Sequence, residues 1–243
     1  MKFLTDQRFL AIYSGVLTLV FAVTVLSGFT KSSDHMQLRE LDVQRINVVE
    51  PDGTIRMVIS DKSLFPGIII KGQEMPHPDR STAGMLFFND EGTENGGLIF
   101  GGQKGSDGKV VNYGHLSFDQ YMQDQTIVLE GDQEGSAYDK HLAINDQPDY
   151  PITEYLPLVE KYKQAPTDAN KTALEKFFKE HGEATPRLFL GEHPQQGLTL
   201  DMKDYRGRNR IVMRVRPDGS PVLEFLDADG KVIDQLPHQV AKD

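Results

Sequence analysis

The chain has 243 residues and a net charge of −10, with 36 acidic side chains against 26 basic ones, and it contains neither cysteine nor tryptophan. The missing cysteine excludes disulfides, thiolate nucleophiles, Cys-ligated zinc and iron–sulfur clusters, and the missing tryptophan leaves any stacking on sugars or cations to Tyr and Phe. Lys2 and Arg8 against Asp6 give residues 1–30 a charge of +1, so the remainder carries −11, the wrong sign for nucleic acid or anionic headgroups.

Residues 9–29 form one long apolar run. A helix rises about 1.5 Å per residue, so about 20 apolar residues match the hydrocarbon thickness of a bilayer. Signal peptides carry shorter apolar cores and a small-x-small cleavage site, whereas this run ends in Leu26-Ser27-Gly28-Phe29-Thr30, which predicts a retained anchor contacting the bilayer through residues 9–29. Lys2 and Arg8 precede the run, so the positive-inside bias predicts a cytoplasmic N-terminus and an exported C-terminal part, periplasmic or extracellular. Ala11 with Gly15, and Ser14 with Thr18, put small residues on one face, the spacing that permits close helix approach in lipid.

After residue 40 the recurring unit is a short alternating apolar stretch, an Asp-Gly turn and another such stretch. Ile46 to Ile59 carries Pro51-Asp52-Gly53, Met85 to Phe88 leads into Asn89-Asp90-Glu91-Gly92, and three further turns fall at Gly207, Gly219 and Gly230. Alternation marks strands with two unlike faces, and the glycines supply the positive φ of tight reversals. The stretches 71–82 and 101–114, rich in Pro, Gly and Lys, are expected to be exposed loops. Between Pro151 and Gly182 the period changes: Tyr155, Leu156, Leu158 and Val159 form one helical face, and Thr167 or Asp168 caps a second through Leu174, Phe177 and Phe178. The expected fold is mainly β, an antiparallel hairpin-repeat sheet (sandwich, roll or barrel) with a helical-pair insertion and an N-terminal transmembrane helix. Its expected parts are an anchor at 1–30, an exported β-repeat region at 31–150, the helical pair at 151–182 and C-terminal hairpins at 183–243.

Three strings, Val43-Gln-Arg-Ile-Asn-Val-Val-Glu-Pro-Asp-Gly53, Leu86-Phe-Phe-Asn-Asp-Glu-Gly-Thr-Glu-Asn-Gly-Gly-Leu-Ile-Phe-Gly101 and His115-Leu-Ser-Phe-Asp-Gln120, carry a resemblance. Through them the exported region resembles a group of bacterial single-pass membrane proteins with Asp-Gly turn β-repeats and no assigned activity. The resemblance implies an exported bacterial protein and brings no catalytic residues with it.

Chemistry-bearing residues are few. Gly101 to Lys109 fails the spacing of a phosphate-binding loop, and Asp227-Ala-Asp-Gly230 fails that of a calcium loop. If the chain is an enzyme, the candidate catalytic residues are the carboxylates Asp90 and Glu94, with His115 or Asp119 assisting. His77 and Asp79 are the candidate metal ligands, although neither a metal site nor a cofactor is expected. Ile68, Ile69, Ile70, Phe118 and Tyr121 are apolar or aromatic side chains available to a partner, with core packing as the competing fate. The expected function is a membrane-anchored binding or scaffolding protein of the bacterial envelope, with an envelope protein partner or a second copy of itself and no nucleic acid. The alternatives are an envelope hydrolase acting on a polysaccharide or lipid, and a carrier of a small apolar ligand under the helical pair.

Overall fold

The computed structural model describes residues 7–28, 35–75, 77, 80–193 and 195–238, and divides into two units, 1–42 and 43–243. The first unit contains α1 (Gln7–Gly28), 22 residues and therefore about 33 Å long. Its Gln7–Val25 stretch is long and apolar enough to cross a membrane, and none of that stretch is buried. The hydroxyls of Thr18 and Thr24 donate to the carbonyls of Ser14 and Val20 at 2.8 and 2.6 Å, so these polar side chains are satisfied within the helix.

The second unit is mainly β. Its strands are β1 (Arg45–Val49), β2 (Ile55–Ser60), β3 (Ile68–Ile70), β4 (Gln73–Met75), β5 (Ala83–Phe88), β6 (Glu94–Lys104), β7 (Val110–Asp119), β8 (Gln125–Glu134) and β9 (Ala137–Asp146), then β10 (Thr185–His193), β11 (Gly197–Lys203), β12 (Asn209–Val215), β13 (Pro221–Leu226) and β14 (Val232–Leu236). Twelve of them form one antiparallel sheet in chain order, with β3 and β4 set aside as a separate hairpin. A helical pair, α2 (Leu156–Gln164) and α3 (Asp168–His181), lies between β9 and β10, which still pair with each other. The insertion therefore leaves the meander unbroken.

One five-residue turn is used six times, at 50–54, 89–93, 105–109, 204–208, 216–220 and 227–231. In each, the first residue's N–H donates to the fifth's carbonyl, and the fourth residue, always glycine, donates back to the first. Each also holds an Asp or Asn whose carboxylate or amide oxygen accepts a backbone N–H of the turn: Asp52, Asn89, Asp107, Asp204, Asp218 and Asp227. These bonds stabilise the charged forms of Asp52, Asp204 and Asp218. The Arg208 side chain and the turn amides hold Asp204 down to about 2, and Ser220 keeps Asp218 below its ordinary value. Five of the chain's 36 acidic side chains thus serve turn geometry.

Glycine also acts inside the sheet. Gly96 has φ +124°, and a Cβ there would come within 2.3 Å of the Ser117 carbonyl oxygen. It lies in register between Phe87 and Phe118, whose rings stack 6.3 Å apart across it. Close strand packing of this kind also corrects the expectation of an exposed loop at 101–114, and in small part the one at 71–82. Residues 73–75 are β4, Gly101 and Gly102 pair with Tyr113 and Asn112, and only 105–109 turn. Gly101 leaves room for the side chain of Tyr113, whose hydroxyl lies 2.6 Å from where a Cβ would stand.

The covered part of the sheet is small. Val58 of β2 and Leu86 and Phe88 of β5 pack beneath Ile69 of β3, with Ile55 and Phe65 at the margin. The hairpin tip is fixed by Lys71 N–H donating to Thr93 Oγ1 and Gly72 N–H to the Gly92 carbonyl, both at 3.0 Å. Three glutamines hold the other cover: the side chains of Gln120, Gln123 and Gln147 donate to the carbonyls of Pro148, Tyr150 and Gln125. Tyr150 meets Tyr155, Phe177 and His181 edge-on, and Thr167 caps α3 by accepting from Asn170 N–H, as its sequence position predicts.

Candidate functional site

The hairpin β3–β4, the ends of β6 and β7, the turn 120–124 and helix α2 enclose a cleft of about 340 Å³. Its apolar wall includes Ile68, Ile70, Met122, Tyr155 and Val159, and its polar residues include His77, Arg80, Glu94 and Asp119. The turn 120–124 keeps the paired backbone bonds of the repeated turn but not its glycine: Met122 takes φ +56° at the third position. The left-handed region favours glycine, so a methionine in that conformation costs about 1–2 kcal/mol. The Met122 carbonyl accepts the N–H of Ile152 at 2.7 Å, which ties the departure from the repeat to the docking of the helical insertion.

Arg80 is the organising cation. It donates to both carboxylate oxygens of Glu94, at 2.6 and 3.1 Å, and to the Gly67 carbonyl at 2.8 Å, and its guanidinium lies 6.0 Å from the centre of the Phe65 ring. A two-pronged pair of this kind neutralises Glu94 and leaves little donor capacity in Arg80. Asp119 has no such cation. Its Oδ1 is buried without a hydrogen bond, and burial, followed by the charges of Glu94 and Asp124, pushes its carboxyl up to about 7 against the opposing pull of Arg80 and the Ser117 hydroxyl. The Nδ1 of His77 is likewise buried without a partner. On α2, burial and then the charge of Asp124 push the Tyr155 phenol well above its ordinary range, so it is a neutral wall.

The four residues expected for catalysis are divided among three places. Glu94 and Asp119 share the cleft. Asp90 stands on the turn 89–93, its side chain 89% exposed and ion-paired with Arg56. His115 belongs to a polar row across the middle of the sheet: its Nδ1 lies 3.3 Å from Glu130, and His141 lies 4.0 Å from the same carboxylate and 2.7 Å from Asp139. Burial and the neighbouring Glu130 raise Asp132 beside this row. Of the two expected metal ligands, His77 lines the cleft and Asp79 lies outside the described residues. Among the described residues no group of three His, Asp or Glu side chains has the geometry to hold a metal ion.

The residues expected to meet a partner are also divided. Ile69 is in the core at 3% exposure, Ile68 and Ile70 line the cleft, and Tyr121 is exposed with its hydroxyl donating to Glu91 at 2.9 Å. Phe118 stands on a broad apolar surface that the strand registers assemble row by row. One row across the sheet carries Leu129, Leu190, Met213 and Leu236, and it continues along β1 and β2 as Ile46 and Ile59. The next row on the same face carries Val48, Phe118, Ile127, Ile144 and Met202, and Phe100, Leu198 and Val215 extend the face on the other side. All fourteen side chains are exposed. The ion pair of Lys140 with Glu192, 3.0 Å apart, stands in this outer row between Phe100 and Leu198. The opposite face carries the polar row, the cleft and the covered core.

Sequence reasoning misses Arg80, Met122 and Tyr155 as parts of a site. No local motif marks them, because the cleft joins residues 77–80, 93–94, 117–125 and 152–163, which only the meander and the insertion bring together. No family model, curated protein or solved structure matches the chain.

Proposed function

We propose that the protein is a membrane-anchored scaffolding module of the bacterial envelope, with its N-terminus cytoplasmic and its β unit exported, that assembles with a second copy of itself through the apolar face of the sheet. The observation that carries this is the run of fourteen exposed apolar side chains on one face of one sheet. Isolated exposed leucines need no explanation, but a contiguous patch of this breadth marks an interaction surface. Twelve strands at about 4.8 Å spacing and about 20 Å length present roughly 1,000 Å², above the ~800 Å² that each partner contributes to a stable interface. A second copy supplies an apolar surface of matching size by symmetry. Pairing also compensates for the thin interior of a unit whose buried apolar side chains, among the described residues, are only seven. An apolar centre with charged pairs at its edge is the ordinary anatomy of such a contact.

The test is the mass of the full-length chain in nanodiscs. The wild type is expected as a dimer or larger closed assembly, and the double variant Leu129→Asp with Leu190→Asp as a monomer that keeps its β circular dichroism. A monomeric wild type overturns self-assembly, and co-purified lipid or a foreign subunit would then name the other occupant.

An envelope hydrolase draws support from one observation, the Asp119 carboxyl poised near neutral pH in a cleft, where a general acid or base works best. Against it, Glu94 is held by Arg80 and not available as the second carboxylate.

A further inference from the structure

We propose that the cleft beneath α2 is a binding site for a small organic ammonium compound, with the amine set against the Asp119 carboxylate and a compact apolar body against Ile68, Ile70 and Val159. The cleft's volume is at the small end of the ~300–1,000 Å³ typical of ligand sites, and it combines an apolar wall with a few convergent polar groups, as such sites require. Among the described residues, Arg80 is the one cation that acts on Asp119, and Lys163, the cleft's other cation, has contacts of its own. Arg80 is engaged by both oxygens of Glu94 and by the Gly67 carbonyl, whereas Asp119 Oδ1 and His77 Nδ1 are buried without partners. A buried carboxylate without a cation is costly, and a ligand ammonium supplies both the missing charge and the missing donors.

The surroundings also favour an ammonium over the other ligand classes. An anion would meet Asp119, Glu94 and Asp124, with the Arg80 guanidinium occupied by Glu94 and Lys163 already in contacts of its own. A metal ion would find one carboxylate free of a cation and no group of three ligands among the described residues. A neutral alcohol is accommodated by the protonated carboxyl but gains nothing from its charge. Among the described residues, the ionisable groups that line the cleft with Asp119 are Glu94 on β6, Arg80 before β5, His77 before Arg80, Asp124 in the turn, and Tyr155 and Lys163 on α2. Binding therefore follows ionisation of Asp119. It is full above about 7 and weakens as the pH falls through that value.

Isothermal titration of the full-length chain in phosphatidylcholine nanodiscs, with phenethylamine and its deaminated analogue 2-phenylethanol as probes, separates these cases. At pH 8 phenethylamine is expected to bind at least about tenfold more tightly than the alcohol, and to lose about tenfold at pH 5.5. Asp119→Asn abolishes the preference for the amine, Val159→Trp fills the cleft and abolishes binding, and Asp90→Asn changes nothing. Asp119→Asn removes a buried charge, so its thermal midpoint at pH 8 is expected to rise, which verifies that the variant is folded. Equal binding of amine and alcohol, an unchanged preference in Asp119→Asn, or no binding of phenethylamine each overturns the proposal. The site does not depend on self-assembly, and the Leu129→Asp, Leu190→Asp variant is expected to bind phenethylamine as the wild type does.

Discussion

Val128 and Leu129 are consecutive residues of β8, yet Val128 is 6% exposed and Leu129 52%. The valine lies on the face shared with Ser117, Asp201 and Val212, all of them buried; the leucine stands on the face to which strand after strand contributes apolar groups that no described residue of the β unit covers. In an ordinary antiparallel sheet the apolar face is the inner one and the polar face meets water. Here the covered face carries the polar row and the cleft, and the apolar face is left for another surface. Burial within one copy and burial within the proposed assembly are therefore different quantities for this chain.

Substitutions that treat the two faces alike should give unlike results. Leu86→Ala, in the cluster beneath Ile69, is expected to cost about 3 kcal/mol in urea denaturation, whereas Leu129→Ala measured on the dissociated chain should stay within about 0.5 kcal/mol. Similar costs at both positions would erase the distinction. Arg80→Met leaves Glu94 half-buried without its cation and should destabilise by about 2 kcal/mol, with Arg80→Lys recovering only part because it cannot make the two-pronged contact.

The cleft sharpens the comparison through pH. The folded-state value of Asp119 lies above its unfolded one, so the folded chain holds the proton more tightly. That contribution to stability is complete below about 4 and is lost as the pH rises to about 7. Solvent screening brings the loss to about 2 kcal/mol, and Asp119→Asn should remove it, leaving a flatter profile between about pH 4 and 7 in urea titrations. A smaller effect than at Asp119 is expected at the turns. Gly219 has φ +84° with nothing within 4 Å of where an alanine methyl would stand, so Gly219→Ala reports backbone cost alone, about 1 kcal/mol, without changing assembly.

The turns are legible in the sequence because each states its geometry in two residues, an Asp or Asn side-chain acceptor and a glycine in the left-handed region, as in Asp52-Gly53 and Asp218-Gly219. The helical pair is equally plain from Thr167, the Phe177–Phe178 doublet and Gly182. Alternation at Leu198, Leu200 and Met202 identifies a strand with two unlike faces, but alternation does not say which face the chain covers. Glycine misleads where it lies in register inside a ladder, at Gly101 and Gly102, since the same residue serves turns and close strand packing. Glu94 and Asp119 stand out in the sequence as carboxylates, yet the features that set them apart, the grip of Arg80 on one and the isolation of the other, depend on a contact across 14 residues and on a wall from α2.

Because the chain has no native cysteine, self-assembly through the apolar face can be read most directly from introduced thiols. Leu129→Cys places one thiol near the middle of that face, close to the two-fold axis of a face-to-face pair, and Tyr205→Cys places one on an exposed turn. In membranes containing the full-length chain, mild oxidation is expected to give a disulfide-linked dimer from Leu129→Cys and none from Tyr205→Cys. Equal cross-linking at both positions, or none at Leu129→Cys, would contradict a scaffold assembled through this face.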